Sequence, residues 1–249
     1  MILTHAHADA FFGVDDLRDF ANVRDGGKPL PVYVREQDMA ELSRTFPYLM
    51  NRGHTANGMH VPALNFLIYD ETAPFDVCGV MFKPLQVNHG PGVTCSALSF
   101  GNVVYMSDVN EIPDSVRSWI NDTFEPYNDA NGALVSPKSD TKQTLDIMIL
   151  DALWPEVSYN SHFSLKDAVE EFKRFRPKKG FAIGMSHQIE HHTFNDHMKE
   201  VSTAHHLDLE LAWDGLQIDI TLPPSPYPLI DPAVVSLSPQ VPEQSHVPK

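Results

Sequence analysis

The chain opens with Met1-Ile-Leu-Thr-His-Ala-His-Ala-Asp-Ala10, a short apolar run followed by two histidines and an aspartate. Side chains alternate along an extended strand, so His5 and His7 should point to the same side, and Asp9 continues the series as the chain turns into a helix. Two imidazoles and a carboxylate at one spot are a ligand set for zinc or a similar divalent metal. The stretch therefore predicts a metal site at a strand end, against the alternative of two surface histidines near a terminus.

The composition is that of an ordinary globular chain with an acidic surface. Of its 249 residues, 42% are hydrophobic and 20% are charged, and 18 Lys and Arg stand against 33 Asp and Glu, a formal net charge of −15. An acidic surface repels nucleic acid, and no apolar run approaches the roughly 20 residues of a membrane helix. The two cysteines, Cys78 and Cys95, indicate a reducing compartment, and we predict a cytoplasmic location.

Strand-like runs alternate with helical patterns over most of the chain. Apolar runs predict strands at 31–34, 64–69, 77–87, 94–100, 103–107, 145–151 and 181–185, and a last hairpin of 209–213 with 216–220. Periodicity predicts helices at 10–20, 36–50, 113–121, 164–176 and 195–206, with Ser164 and Asp167 as a capping box. Turn-rich stretches predict loops at 51–62 and 121–142. We expect one domain over 1–221 and a proline-rich, disordered tail over 222–249.

Residues that suit metal binding or proton transfer follow several of these strands. They are His5, His7, Asp9, His89, Asp108, His162 and His187. Strands alternating with helices can bring such ends to one edge of a layered sheet. A two-metal site needs a carboxylate that bridges the ions, and Asp108 directly follows a buried strand. Asp151 also ends a strand, where it either orients a ligand histidine or caps a nearby turn.

The order of these residues resembles the metallo-beta-lactamase superfamily. The resemblance rests on Leu3-Thr4-His5-Ala6-His7-Ala8-Asp9 followed by His89, Asp108 and His187, and it spans about residues 2–220. Shorter matching stretches lie at 13–18, 104–108, 149–153 and 184–187. Within the superfamily the chain looks most like the cyclic phosphodiesterases of the phosphonate pathway, with ribonuclease Z more distant. The resemblance implies an α/β fold of the four-layer αββα sandwich type.

The resemblance also implies a centre with two divalent metal ions. It places His5, His7 and His89 on the first ion and Asp9 and His187 on the second, with Asp108 bridging them. Zinc is the first expectation, and manganese is the alternative that a His/Asp set does not separate from it.

The chemistry implied by the same resemblance is hydrolysis of a small, and in this branch cyclic, phosphodiester. Hydroxide held between the two ions would attack phosphorus, because divalent metals lower the pKa of water from 15.7 to about 7. His162 matches the position that acts on the leaving group. An imidazole donates a proton near neutral pH, which suits a general acid.

The chain departs from the superfamily motif at one ligand position. The usual motif is H-x-H-x-D-H, and Ala10 stands where the last histidine would be. His187 and His191 are four residues apart and would share one face of a helical turn. We hypothesise that His191 supplies the missing ligand; the alternative is an exposed histidine beside His192.

The chain also departs from the superfamily at its start. The family places several strands before the H-x-H-x-D motif, and here only Ile2 and Leu3 precede it as strand residues. We therefore expect an N-terminally shortened domain. The burial lost with those strands could exceed the roughly 5–15 kcal/mol by which domains are stable, so low stability and low activity are expected of this chain.

Two other functions stay open beside the phosphodiesterase. One is hydrolysis of a carboxylic ester, thioester or lactam on the same fold, for which a histidine at the position of His162 is less expected. The other is a non-catalytic, degenerate member, which Ala10 favours. The expected partner is a small-molecule phosphodiester, with no membrane or nucleic acid, and a homodimer stays open.

Overall fold

The structure is a computed structural model that describes residues 1–20, 29–50, 64–136 and 142–223. Within these ranges the chain divides into two units, the first over Met1–Asp70 and the second beginning at Glu71. The predicted loop at 51–62 and nearly all of the predicted tail, from 224 onward, lie outside the described residues.

The first unit is built on two parallel strands, β1 (Leu30–Arg35) and β2 (Leu64–Tyr69). The N-terminal run lies along β1, where the Leu3 amide donates to the Tyr33 carbonyl at 2.8 Å and the Tyr33 amide donates to the Met1 carbonyl at 2.9 Å. These bonds, with a parallel bridge between Ile2 and Tyr33, anchor the run that precedes the two histidines.

Short helices complete the first unit. They are α1 (Ala8–Phe11), a 3₁₀ helix (Phe12–Asp19), a 3₁₀ turn (Glu36–Asp38), α2 (Met39–Thr45) and α3 (Pro47–Met50). The prediction of one helix over 36–50 is wrong, because Phe46 leaves the helical region with φ −123° and ψ 61° directly before Pro47. Proline disfavours helical geometry in the residue before it. The buried apolar core contains Leu3, Phe11, Val14, Val32, Val34, Leu42, Leu49 and Leu64.

The second unit contains a seven-stranded sheet. Its strands are β3 (Phe75–Val77), β4 (Val80–Asn88), β5 (Thr94–Phe100), β6 (Val103–Met106), β9 (Ile147–Asp151), β10 (Lys179–Ile183) and β11 (Leu209–Leu211). Their order across the sheet is β11-β10-β9-β6-β5-β4-β3. A separate parallel pair consists of β7 (Phe124–Glu125) and β8 (Gln143–Thr144).

Strand direction brings the functional ends together. Strands β6, β9, β10 and β11 are parallel neighbours. Strand β5 is antiparallel to both β4 and β6, so β4 runs in the same direction as β6. The C-terminal ends of β4, β6, β9 and β10 therefore lie at one edge of the sheet, which is where α/β sheets carry their ligand sites.

Three helices pack in the second unit, α4 (Asp114–Thr123), α5 (Leu165–Phe175) and α6 (His191–His205). The capping box predicted for α5 is confirmed: the Asp167 amide donates to Ser164 Oγ at 3.1 Å, and the Ser164 amide donates to Asp167 Oδ2 at 2.9 Å. Met148 and Leu150 of β9 join the core that includes these helices, whereas Ile147 belongs to a smaller cluster. Because residues of β9 are buried in both clusters, the strand has an unbroken apolar run and not an alternating one.

Three sequence predictions for the second unit are wrong. The strand expected at 77–87 is divided by a hairpin turn at Cys78-Gly79, where both residues have positive φ. The loop expected at 121–142 contains the end of α4 and strand β7, and Phe124 is buried. The chain turns at Asp214-Gly215 as predicted, but 216–220 forms no strand, so there is no hairpin over 209–220, and β11 pairs in parallel with β10.

The class predicted from the alternating pattern, mixed α/β, is confirmed. In the four described ranges, every helix is too short or too polar to cross a membrane.

Candidate metal centre

The first unit holds the histidine pair of the opening motif. The rings of His5 and His7 are 4.8 Å apart at an interplanar angle of 78°, as strand alternation predicts. His5 is 1% exposed, and its Nδ1 lies 3.1 Å from Thr4 Oγ1. His7 is an exposed residue in extended geometry at the N-terminus of α1, and Asp9 lies exposed in the first turn of that helix.

The second unit holds a cluster of two histidines and a carboxylate. One ligand atom from each of His89, Asp108 and His162 lies within 4.8 Å of the others. His89 follows β4 and Asp108 follows β6, so both stand at the sheet edge where the C-terminal strand ends meet. His162 reaches the same place from the segment before α5, and its ring centroid is 4.8 Å from that of His89. The structure therefore brings together three of the predicted site residues.

Hydrogen bonding fixes which nitrogen of His89 is available. Its Nδ1 lies 2.5 Å from the Ser161 carbonyl oxygen, which only accepts, so Nδ1–H is the donor. In the neutral ring the lone pair is then on Nε2, which lies 3.6 Å from Asp108 Oδ2. A neutral imidazole nitrogen and a carboxylate oxygen facing each other at this distance are stabilised by a cation between them. The donor set thus fits a divalent metal.

Glycine is required in the loop that carries His89. Gly90 has φ +105°, which favours glycine, and a Cβ atom there would lie 3.4 Å from the Asn160 carbonyl oxygen. The Gly90 amide donates to Asn110 Oδ1 at 2.7 Å. The loop is therefore tied both to the segment before His162 and to the segment after Asp108.

Asp151 orients His162. The Nδ1–H of His162 donates to Asp151 Oδ2 at 2.7 Å, and the Val109 amide donates to the same oxygen at 3.3 Å. Burial raises the pKa of Asp151 to about 6, although its hydrogen bond from His162 and the charge of that ring act in the opposite direction. The remaining nitrogen of His162, Nε2, faces the cluster and can bind or donate a proton there.

Burial of Asp151 also depends on a glycine. Gly184, at the end of β10, has φ +73°, and a Cβ atom on it would lie 3.0 Å from Asp151 Oδ1. Of the two interpretations left open for Asp151, the contact with His162 supports the orienting one, and its bond from Val109 also ties down the segment after Asp108.

His187 and His191 lie elsewhere in the second unit. His187 is exposed, with its ring centroid 6.2 Å from that of Trp154, and His191 Nε2 lies 3.3 Å from the Leu211 carbonyl oxygen. Among the described residues, neither belongs to a group of three or more ligand-type side chains close to one another. The helical premise for His191 is wrong, because α6 begins at His191 with Glu190 as its N-cap, so His187 precedes the helix. Their assignment as metal ligands stays a prediction.

Sequence reasoning missed the backbone carbonyl of Ser161 and the side-chain oxygen Oδ1 of Asn110, which accept hydrogen bonds from His89 and Gly90. The Ser161 contact leaves no signal in a single sequence, because every residue has a backbone carbonyl. The one available hint is that Ser161 directly precedes His162.

A mixed sheet with a histidine–carboxylate cluster at one edge is the arrangement typical of metallo-hydrolases. A family model described as the beta-lactamase superfamily domain matches residues 1–125, half of the chain. The chain belongs to this superfamily. No curated protein matches it at a significant level.

Solved structures with the same fold cover most of the chain. A diphosphatase of the PhnP family has a TM-score of 0.67 and 23% identity, over 89% of this chain and 71% of that one. The metallo-beta-lactamase fold protein YhfI from Bacillus subtilis has a TM-score of 0.59 and 18% identity, over 86% and 74%. An isothiocyanate hydrolase from Delia radicum gut bacteria has a TM-score of 0.52 and 13% identity, over 89% and 76%. These likenesses confirm the metallo-beta-lactamase fold.

Proposed function

We propose that the chain is a metal-dependent phosphodiesterase acting on small, including cyclic, phosphodiesters. The observation that carries the proposal is His162, a histidine beside the His89–Asp108 pair with its other nitrogen held by Asp151. A hydrolase that expels an alkoxide needs a proton donor near the leaving oxygen, whereas a thioester depends on one less, because a thiolate is a much weaker base than an alkoxide. Similarity to a PhnP-family diphosphatase agrees with a phosphorus centre as the substrate.

The proposed set of metal ligands contains His89 and Asp108 of the second-unit cluster, together with further residues that the superfamily motif assigns. His5, His7 and His89 are assigned to one divalent ion, Asp9 and His187 to a second, and Asp108 to both. The motif and membership of the superfamily support this assignment. When bound, divalent ions supply water of lowered pKa and neutralise negative charge on phosphoryl oxygens.

The assignment of the remaining ligand follows the same motif. His191 is proposed as the replacement for the ligand absent at Ala10, and zinc is proposed as the metal, with manganese as the alternative. His191→Ala should then lower metal stoichiometry, while unchanged stoichiometry would contradict the replacement.

Residues of the chain protonate the leaving group and orient the proton donor. His162 holds a proton on Nε2 when it is charged and delivers it to the oxygen that leaves phosphorus. Asp151 keeps the ring oriented through Nδ1 and stabilises the charged imidazolium before delivery. The buried position of His89 and the acceptor at Ser161 keep its Nε2 directed toward Asp108.

The two thiols support a location for this activity. Cys78 is exposed and Cys95 is buried, and they form no disulfide. Free thiols persist in a reducing compartment, so we propose the cytoplasm.

A substrate comparison tests the function. The full chain, loaded separately with zinc and manganese, is assayed with bis(p-nitrophenyl) phosphate, nitrocefin and an aryl thioester. We expect turnover of the phosphodiester well above that of the other two. Turnover of the lactam or thioester alone would place the chain with other hydrolases of this fold, and failure to bind metal would indicate a degenerate member.

A further inference from the structure

A small cavity lies in the second unit, along the segment that leads to His162. It has a volume of about 290 Å³ and is lined by Trp154, Pro155, Glu156, Val157, Tyr159 and Gln188. Small-molecule sites usually have volumes of about 300–1,000 Å³, so this cavity suits one ring system rather than a large ligand.

The cavity wall is fixed to the segment that carries His162. The Tyr159 amide donates to the His162 carbonyl at 3.3 Å, and the Leu153 amide donates to the Phe163 carbonyl at 2.9 Å. The Leu165 amide, at the start of α5, donates to the Trp154 carbonyl at 2.7 Å. The backbone at Trp154 and Tyr159 is thus tied to the segment that carries His162.

Aromatic rings form a continuous row along this wall. The ring centroid of Trp154 is 5.5 Å from that of Tyr159, at an interplanar angle of 37°, and 6.2 Å from that of His187, at 81°. Tyr159 is 53% exposed and Val157 is 63% exposed, although both are large and apolar. Exposed apolar side chains grouped at the mouth of a cavity mark a surface that a ligand covers.

The lining chemistry selects among ligands. Glu156 carries the only charge among the six lining residues, and a carboxylate repels a phosphate group. Gln188 offers an amide that both donates and accepts hydrogen bonds. Aromatic faces with one amide at the edge bind planar rings, as in sites where bases stack on Trp and Tyr.

We propose that this cavity binds an aromatic or heteroaromatic ring of the substrate on the leaving-group side, with Trp154 and Tyr159 as specificity-determining residues. The proposal rests on the proposed phosphodiesterase function, because the cavity-lining segment is bonded to the backbone around His162, and the role of His162 as proton donor makes that side the leaving-group side. The preferred substrates are then phosphodiesters whose leaving alcohol carries a ring, such as aryl esters or nucleoside esters.

The test combines ligand binding with turnover on the full, metal-loaded chain. Phenylphosphonate and methylphosphonate are titrated by calorimetry into the wild type, Trp154→Ala, Tyr159→Ala and Tyr159→Phe, and hydrolysis of bis(p-nitrophenyl) phosphate is measured in parallel. We expect the wild type to prefer the phenyl ligand by about tenfold or more, as stacking on an aromatic side chain predicts. Both alanine variants should lose most of that preference, and Tyr159→Phe should keep it.

The two parts of the experiment separate the two proposals. Turnover with equal binding of both phosphonates overturns the ring site and leaves the phosphodiesterase intact. A preference for phenyl that depends on Trp154 and Tyr159, without turnover, keeps the ring site and overturns the function. Because Trp154 is half-buried, its variant is scored only if it melts like the wild type; Tyr159→Ala, at an exposed position, decides the question otherwise.

Discussion

His162 is placed so that its two nitrogens have different tasks. Nδ1 is committed to the buried carboxylate of Asp151, while Nε2 faces His89 and Asp108. That geometry permits two roles for Nε2, proton donation or metal binding. The two roles differ in what the loss of the side chain does to metal content.

We predict that His162→Ala retains the metal content of the wild type and loses activity by about 10²–10⁴-fold on phosphodiesters with alkyl leaving groups, the usual range for general acid catalysis. The loss should be far smaller with p-nitrophenyl esters, because that leaving group departs without a proton. Metal analysis and kcat for both substrate types provide the measurement. His197→Ala, in α6 and largely exposed, is the matched control. A fall in metal content would make His162 a ligand instead.

The sequence foresaw which residue types belong to the centre, but not their partners. Spacing alone placed His89 and Asp108 at strand ends. The tautomer of His89 is set by the Ser161 carbonyl, and the orientation of His162 is set by its hydrogen bond to Asp151. Both are decided by three-dimensional proximity, which a single sequence does not encode locally.

At the level of elements, α5 shows that the sequence predicts best where local signals agree. The predicted apolar positions, Leu165, Ala168, Val169 and Phe172, are all buried, and the capping box forms. Strands at 64–69 and 94–100 match their predicted bounds. In the hairpin predicted over 209–220, the local turn signal at Asp214-Gly215 is correct but the second strand does not form, whereas the pairing of β11 with β10 joins residues about 30 positions apart and has no local signal.

The cap of α5 should give stability a specific dependence on pH. Burial raises the pKa of Asp167, but hydrogen bonds from Ser158 and Ser164 outweigh it, and the pKa ends below its ordinary value. A depressed pKa means that the stabilisation is present above the unfolded-state pKa and is lost as pH falls through the folded-state pKa. Asp167→Asn should therefore cost about 0.5–1 kcal/mol at pH 7, since the side chain is half-buried and partly screened by solvent, and clearly less at about pH 3, where the carboxylate is being protonated.

Urea unfolding of the wild type and Asp167→Asn at both pH values measures this difference. Asp196→Asn is the matched control, because Asp196 is an exposed carboxylate in the first turns of α6 whose bond is to Lys199. An equal cost of Asp167→Asn at both pH values would contradict the assignment.

Gly180 tests the packing of β10. A Cβ atom at this position would lie 2.6 Å from a methyl carbon of Leu209 and 2.9 Å from the ring of Phe172. We predict that Gly180→Ala destabilises the chain by about 1–3 kcal/mol, the usual cost of overpacking. Gly13→Ala is the control, because a Cβ atom there would meet no other part of the described chain within 4 Å, apart from its own neighbours and helix backbone. Urea midpoints at constant m-value measure the difference, and equal midpoints would show that β10 can move to accommodate a methyl group.

At the scale of the whole molecule, strand direction explains why ligands distant in sequence meet. The four ends that carry His89, Asp108, Asp151 and the segment before His187 lie at one edge of the sheet, because β4, β6, β9 and β10 share a direction. The alternation of strands and helices in the sequence predicts that such strand ends lie at one edge of a sheet. It does not separate His187 from His89, because both histidines follow apolar strand runs.

Metal removal tests whether the folded protein binds metal ions at the proposed centre. Ions that bind only the folded chain stabilise it by about 2.7 kcal/mol at a hundredfold excess over Kd, so chelation should lower the thermal midpoint, and zinc or manganese should restore it. Asp108→Asn removes a carboxylate assigned to both ions and should abolish most of this shift, whereas His197→Ala should keep it. Differential scanning calorimetry with and without chelator provides the measurement. If the wild type melts at the same temperature in both conditions, the cluster of His89, Asp108 and His162 does not hold metal in the folded protein.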